Sequence, residues 1–371
     1  MLYRKARKLL ASPGMFLRDY LLKTHPLIFN EIHCPVTEEG VLLKHDLALE
    51  RMFEVNFPVD VVFTWVDNGD PHWARKFQQY RRCHLQTGEN TDGDLARFDN
   101  HNEIYYSVLS VLRFMPWVRF IYIVVDGHSL PWARHIEKIK LISHAEIIPP
   151  QYLPTFNSHV IEAHLHLIPG LAEHFIYFND DVFVARELPA SHFFRSNGLA
   201  SLFIAGKSLT AMAQRRKPTP ALAASLNARA LLADDTGFTP DAPLVHTYVP
   251  LRKSLFTETR QRYRQQIEAF LPGKFRSDND LNLPTFLVPW LTYILGMAAP
   301  ARDICYYFNV RSPAAKMHYR ALINGQQNNA SPHSFCANDF SSRNTSIHNY
   351  QDQLIDMLGT YFENGTHKNV L

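Results

Sequence analysis

The sequence predicts an α/β protein built on a mostly parallel sheet, with helical additions in its C-terminal half. Three observations carry that prediction. A chain of 371 residues, 46% hydrophobic and 20% charged, can bury a sizeable core, which excludes intrinsic disorder and a disulfide-stapled mini-protein. From Val59 onward, short β-rich apolar runs alternate with helical stretches of about ten residues, the pattern of parallel strands joined by right-handed crossovers. The apolar runs then end in acidic segments, as strands do when they deliver side chains to one edge of a sheet.

Taken in order, the first 23 residues mix Arg4, Lys5, Arg7, Lys8, Arg18 and Lys23 with Leu9, Leu10, Met15, Phe16 and Leu21. That mixture suits a basic amphipathic segment on an anionic membrane surface, and equally a solvated helix packed on the domain. Leu9-Leu10-Ala11-Ser12-Pro13-Gly14 is no continuous apolar core of a signal peptide, so no secretion signal is expected. Residues 1–55 are read as this N-terminal segment and 56–371 as the main domain, with a core over about 56–215 and a helical part over about 216–371. Val59 to Val66 is the first strand, Asn102 to Phe114 a helix and Phe120 to Val125 the second strand. A helical run near Trp132 to Ile139, a strand reaching Ile147-Ile148, a helix from Ser158 to Leu167 and a strand at Phe175 to Tyr177 follow. Beyond Ala185 the expectation is a strand pair around Ala200 to Met212, helices near Ala221 to Leu232 and Lys253 to Phe270, and a loop-rich last third closed by a helix near Tyr350. Phe286 to Ala299 is a buried core helix rather than a membrane span, being short and interrupted by Pro289.

Lys+Arg 38 against Asp+Glu 35 gives a net charge of +3, too balanced for a dedicated nucleic-acid binder. Cys34, Cys83, Cys305 and Cys336 form no metal-finger or redox spacing, so a reducing cytoplasm is expected, and sequons at Asn329, Asn344 and Asn364 are read as chance.

Function is sought at the strand ends. They read Trp65-Val66-Asp67, Val125-Asp126-Gly127 and Asn179-Asp180-Asp181, three carboxylate-bearing termini at one edge. Adjacent carboxylates after an apolar strand suit a hard divalent cation, magnesium or manganese, held against a diphosphate. Asp60 and Thr64 share one face of the first strand, where a polar group needs a partner, and Trp65 could stack on a base or sugar or belong to the core. Asn157 or Ser158 caps a helix whose start could meet phosphate, with Glu162 about one turn in. His246 is a candidate general base and Arg276 a candidate phosphate grip.

These residues fall in blocks that resemble the Stealth family of sugar-1-phosphate transferases, which includes bacterial capsular polysaccharide phosphotransferases and the lysosomal-enzyme GlcNAc-1-phosphotransferase. The first block looks like Asp60-Val61-Val62-Phe63-Thr64-Trp65-Val66-Asp67. The second runs from Arg97 through Asn102-Glu103, Pro116-Trp117-Val118-Arg119 and Leu153-Pro154-Thr155-Phe156-Asn157-Ser158 to Asn179-Asp180-Asp181. The third holds His246, Phe275-Arg276-Ser277 and Asp280, and the fourth is Cys336-Ala337-Asn338-Asp339. The resemblance implies a Rossmann-like or GT-A-like nucleotide-sugar-binding sheet. It implies transfer of a hexose 1-phosphate, an N-acetylhexosamine 1-phosphate above all, from a UDP-sugar to a hydroxyl of an oligosaccharide or polysaccharide acceptor, with release of UMP. It further implies Mg2+ or Mn2+ held by Asp180 and Asp181 with help from Asp280, phosphate held by Arg276, and His246 as the base. Asp60, Thr64, Trp65, Asp67, Asn102, Asp126, Asn157, Ser158, Glu162, Asn338 and Asp339 are expected to bind substrate. Asn100-His101-Asn102 and Tyr105 depart from the family pattern in the second block. The expected location is cytoplasmic, peripheral on the inner face of the membrane beside capsule assembly proteins. A metal-dependent glycosyltransferase releasing UDP, or a non-catalytic scaffold of a capsule complex, are the alternatives.

Overall fold

The computed structural model describes residues 9–24, 41, 44, 53–86, 102–215, 218–339 and 348–363, divided between two compact units, Met1–Glu54 and Val55–Leu371. The first unit carries helix α1 (Pro13–Thr24), on and before which Leu10, Met15, Leu17 and Tyr20 are exposed. Among the described residues no helix is long and apolar enough to cross a membrane.

The second unit is α/β. Its main sheet has five strands in the order β3-β2-β1-β4-β7: β1 (Val59–Thr64), β2 (Ile121–Val125), β3 (Ile139–Ser143), β4 (His174–Asn179) and β7 (Val249–Arg252). The first four are parallel, and β7 closes one edge antiparallel to β4. In β1 and β2 the apolar residues run without alternation, because both faces of a parallel sheet are covered and every side chain must be tolerated inside. Val61, Val62, Phe63 and Ile121 to Val124 are all buried. Central β1 pairs Thr64 with Val124 on one side and with Asn179 on the other, so three strands finish level at one edge.

The chain leaves β4 through a two-residue turn, Asp180–Asp181, and enters a second sheet of order β5-β10-β9, made of β5 (Val182–Val184), β9 (Cys305–Asn309) and β10 (Ser334–Asn338). A third sheet pairs β6 (Ala200–Phe203) with β8 (Ala298–Ala301). Around them lie α2 (Pro71–Gln86), α3 (Glu103–Phe114), α4 (Ser158–Glu162), α5 (Pro220–Thr236), α6 (Lys253–Arg262), α7 (Val288–Ile294), α8 (Ala315–Gln327) and α9 (Tyr350–Phe362), with shorter turns of helix between. The second sheet has its own aromatic core: Phe183 stacks on Phe335 at 4.8 Å, and Tyr361 and Phe362 of α9 cover them. Burying each such ring stabilises by roughly 2–3 kcal/mol, so α9 is anchored by packing rather than by helix propensity.

Several expected elements differ. The strand expected to reach Ile148 ends at Ser143, because Ser143 and Glu146 form a capping box that starts a short helix, His144–Ile147. The helix expected over 158–167 stops at Glu162 and resumes as a single 3-10 turn. No strand pair spans 200–212: β6 finds its partner about a hundred residues later, and Leu209–Arg215 is helical. The apolar run after Asp280 opens with a π-type turn, Leu283–Leu287, that continues directly into α7, with Pro289 the second residue of α7. The last third holds two strands and α8, where loops were expected.

Candidate active site

A cleft of about 530 Å³ opens at the carboxyl edge of the parallel strands. Thr64 and Trp65 line it from the end of β1, Ser158 and Glu162 from α4, Asp180 and Asp181 from the turn between the two sheets, and Asn338 and Asp339 from the end of β10. His246 and Arg276 complete the wall.

Asp181 is the centre of the arrangement. Its Oδ2 accepts hydrogen bonds from Asn338 Nδ2 at 2.8 Å and from the Cys336 thiol at 3.2 Å, and His246 Nε2 lies 3.9 Å away. The backbone N–H of Ala337 donates to its carbonyl. The other carboxylate oxygen, Oδ1, is shut off from solvent with no hydrogen-bond partner. A buried acceptor left in this way costs about 1–3 kcal/mol, a cost proteins retain chiefly at sites of function. Burial pushes the Asp181 carboxyl up, but His246, Cys336 and Asn338 outweigh it and hold it below the ordinary aspartate value. Asp180 goes the other way, raised well above the ordinary value by burial and then by the neighbouring charges of Asp181 and Glu103. Two adjacent carboxyls forced apart in this way accommodate one negative charge readily and a second only beside a cation.

The donor set fits a hard divalent ion. Asp181 Oδ1 is an unsatisfied oxygen, Asp180 is the adjacent carboxylate, and the ligand atoms of Asp181, His246 and Cys336 lie within 4.8 Å of one another. Burial and Asp181 push the Cys336 thiol well up, so it stays protonated and donates to the carboxylate instead of serving as a soft thiolate ligand.

The remaining wall is held together by the residues expected there and by two that the sequence does not single out, Tyr177 and Arg311. Buried Tyr177, two residues before Asn179 on β4, places its hydroxyl 3.1 Å from Thr64 Oγ1, 2.9 Å from Asn179 Oδ1 and 3.2 Å from Glu162 Oε1. Arg276 fixes Ser158 with two contacts, Nε at 2.9 Å and Nη2 at 2.5 Å from its hydroxyl oxygen. Arg311 pairs with Asp339, Nη2 to Oδ2 at 3.0 Å. Trp65 is buried, edge-on to His128 at 5.7 Å. The alternation Ser334, Cys336, Asn338 along β10 is the signal that could have found Cys336, since period-2 polar residues in a short strand face one side.

Other expected residues are elsewhere. Asp60 does not line the cleft: it sits near the amino end of β1, fully buried, and its carboxylate is saturated by Arg119 at 2.6 and 2.9 Å and by the N–H groups of Phe120 and Ala172. Asp280 is not with the carboxylate pair: Asn157, His159 and Ser277 occupy both its oxygens. Asn157 is likewise consumed inside, its Oδ1 capping α4 and its Nδ2 bonded to Asp280 and to the Phe275 carbonyl. The five-residue α4 is thus capped by the protein itself, and of this start it is Ser158 that lines the cleft. Asp126 ion-pairs with Lys76 at 2.5 Å in a neighbouring cavity of about 480 Å³. Asp67 accepts from the Gly69 N–H at 2.9 Å, and Asn102 precedes α3 at φ 63°; neither lines the cleft.

Residues 57–82 match the Stealth protein model for conserved region 1, and residues 97–202 that for conserved region 2, which contains Asp180 and Asp181. The chain is 54% identical over 361 residues to the capsular polysaccharide phosphotransferase LcbA of Aeromonas hydrophila, covering 97% of this chain and 99% of that protein. It is 51% identical over 367 residues to the capsular polysaccharide phosphotransferase LcbA of Neisseria meningitidis, covering 97% of this chain and 100% of that one. Among solved structures, the galactosyltransferase LgtC with donor and acceptor sugar analogs aligns at 10% identity and a TM-score of 0.41, over 81% of this chain and 95% of that one.

Proposed function

Since the chain belongs to the Stealth family of capsular polysaccharide phosphotransferases, we propose that it transfers a hexose 1-phosphate, most simply an N-acetylhexosamine 1-phosphate, from a UDP-sugar to a hydroxyl of a growing polysaccharide. The observation that carries this reading is the Asp180–Asp181 pair, with its one buried, unpartnered oxygen, facing His246 across the cleft.

In the proposed reaction the acceptor oxygen attacks the phosphorus that bears the sugar. A new P–O bond forms, the P–O bond to the bridging oxygen breaks, and UMP leaves with that oxygen. His246, nearly half exposed and so reachable by an acceptor, takes the hydroxyl proton on its imidazole. Arg276, already aligned by Ser158, grips a phosphate oxygen through its remaining N–H donors. A divalent ion held by Asp180 and Asp181 would supply neutralisation of the diphosphate charge. Asn338 and Cys336 keep Asp181 ionised and aimed into the cleft.

Incubation of the purified protein with magnesium, UDP-sugars and capsule oligosaccharides tests this directly. UMP with a phosphodiester product is the expected result; UDP with a plain glycoside overturns it. Peripheral attachment to the anionic inner face of the cytoplasmic membrane belongs to the same reading, supported by the exposed Leu10, Met15 and Leu17 beside basic residues. Co-sedimentation with anionic vesicles is expected, and equal failure with anionic and zwitterionic vesicles overturns it.

A further inference from the structure

Strand β10 presents Ser334, Cys336 and Asn338 at alternate positions, so all three side chains leave one face of the strand. Cys336 and Asn338 grip Asp181. Ser334 reaches a different partner. Its hydroxyl donates to Asp303 Oδ2 at 2.9 Å, which commits its only proton, so Thr247, 2.7 Å away, must be the donor of the bond between their hydroxyls. Asp303 Oδ1 accepts from Tyr248 at 2.6 Å and from His192 Nε2 at 2.9 Å. Thr247 and Tyr248 are the two residues that follow His246, and both are buried. The Cys305 thiol donates to the His246 carbonyl itself at 3.4 Å. The segment carrying a half-exposed histidine is therefore pinned from behind at three consecutive residues.

We infer that Ser334 and Asp303 are positioning residues for His246: one face of β10 sets Asp181 with Cys336 and Asn338 and sets the His246 segment with Ser334, so a single strand fixes the separation of carboxylate and base. This inference rests on His246 acting as the base. Placement errors of about 1 Å cost up to about 100-fold in rate while leaving binding of the donor's remote parts intact.

The test is a cycle of variants assayed for kcat and for donor KM, with thermal midpoints recorded. Ser334→Ala and Thr247→Val are each expected to lower kcat about tenfold with donor KM within about twofold, because the link each removes leads to the base. Thr247→Ser, which keeps the hydroxyl, is expected to stay near the parental rate. In a His246→Ala background neither change should lower the rate further, since both act through that ring. Thr247→Val attacks the same link from the other side and serves if Ser334→Ala does not fold. Parental kcat in both variants, or a loss that adds to that of His246→Ala, overturns the inference alone. Parental activity of His246→Ala overturns the base reading and this inference with it, and is read from that single variant.

Discussion

Two aspartates, Asp280 buried and Asp181 half-buried, each set beside a histidine, teach how a structural carboxylate differs from a chemical one. Asp280 lies 2.9 Å from His159 Nδ1 and also accepts from Asn157, from the Ser277 N–H and from the Ser277 hydroxyl, so neither oxygen is left over. Asp181 lies 3.9 Å from His246, and only Oδ2 is served. Burial raises both carboxyls and hydrogen bonding lowers both, to below the ordinary aspartate value. What separates them is saturation. A carboxylate whose lone pairs are all taken by its own fold holds a loop and an α4 cap in place; one with an oxygen unserved has capacity for something that the chain does not contain.

The contrast breaks most visibly in activity. Asp181→Asn keeps the shape but removes the charge, and transfer is expected to fall by roughly 10³-fold, with thermal stability near the parent and manganese binding by calorimetry abolished. Turnover within tenfold of the parent, or unchanged manganese binding, would show that the open oxygen has no role.

The mirror experiment is on stability. Asp280→Ala strands His159 and Asn157 without their acceptor, and is expected to cost about 3–5 kcal/mol in denaturant unfolding, whereas the same measurement on Asp181→Asn should move by less than about 1 kcal/mol. Equal losses at the two sites would erase the distinction.

A smaller effect sharpens it through pH. His164 and His166 are buried neutral rings, burial pulling their pKa values to about 4 and about 3, and His166 is stacked on Phe256. Between about 6.5 and 4 the unfolded chain binds protons that these rings refuse, so stability is full above 6.5 and falls as pH drops, by about 1.4 kcal/mol per pH unit for each ring. His166→Phe is expected to flatten that slope measured by thermal unfolding; an unchanged slope would assign the acid sensitivity elsewhere.

Much of the main sheet was legible from the chain. Continuous apolar runs at Val59, Phe120 and Phe175, split by helical stretches, required a parallel sheet, and a polar strand end after each run required one functional edge. Asp180, Asp181, Glu162, Thr64, Arg276, His246 and Asn338 all stand out in the sequence and all line one cleft. The second sheet was not legible, because β5, β9 and β10 are three to five residues long and β5 joins the other two only through β10, more than a hundred residues further along the chain. Nor could sequence separate Asp280 from Asp181, since hydrogen-bond saturation is a property of three-dimensional neighbours.

The sequence by itself determined the fold class, the carboxylate-bearing edge and most of the residue types gathered there, because local periodicity and burial preference are written residue by residue. Tertiary structure alone decided which carboxylates stay open, because that depends on whether Arg119 reaches Asp60, Lys76 reaches Asp126 and Asn157 reaches Asp280, while nothing of the chain reaches Asp181 Oδ1 among the described residues.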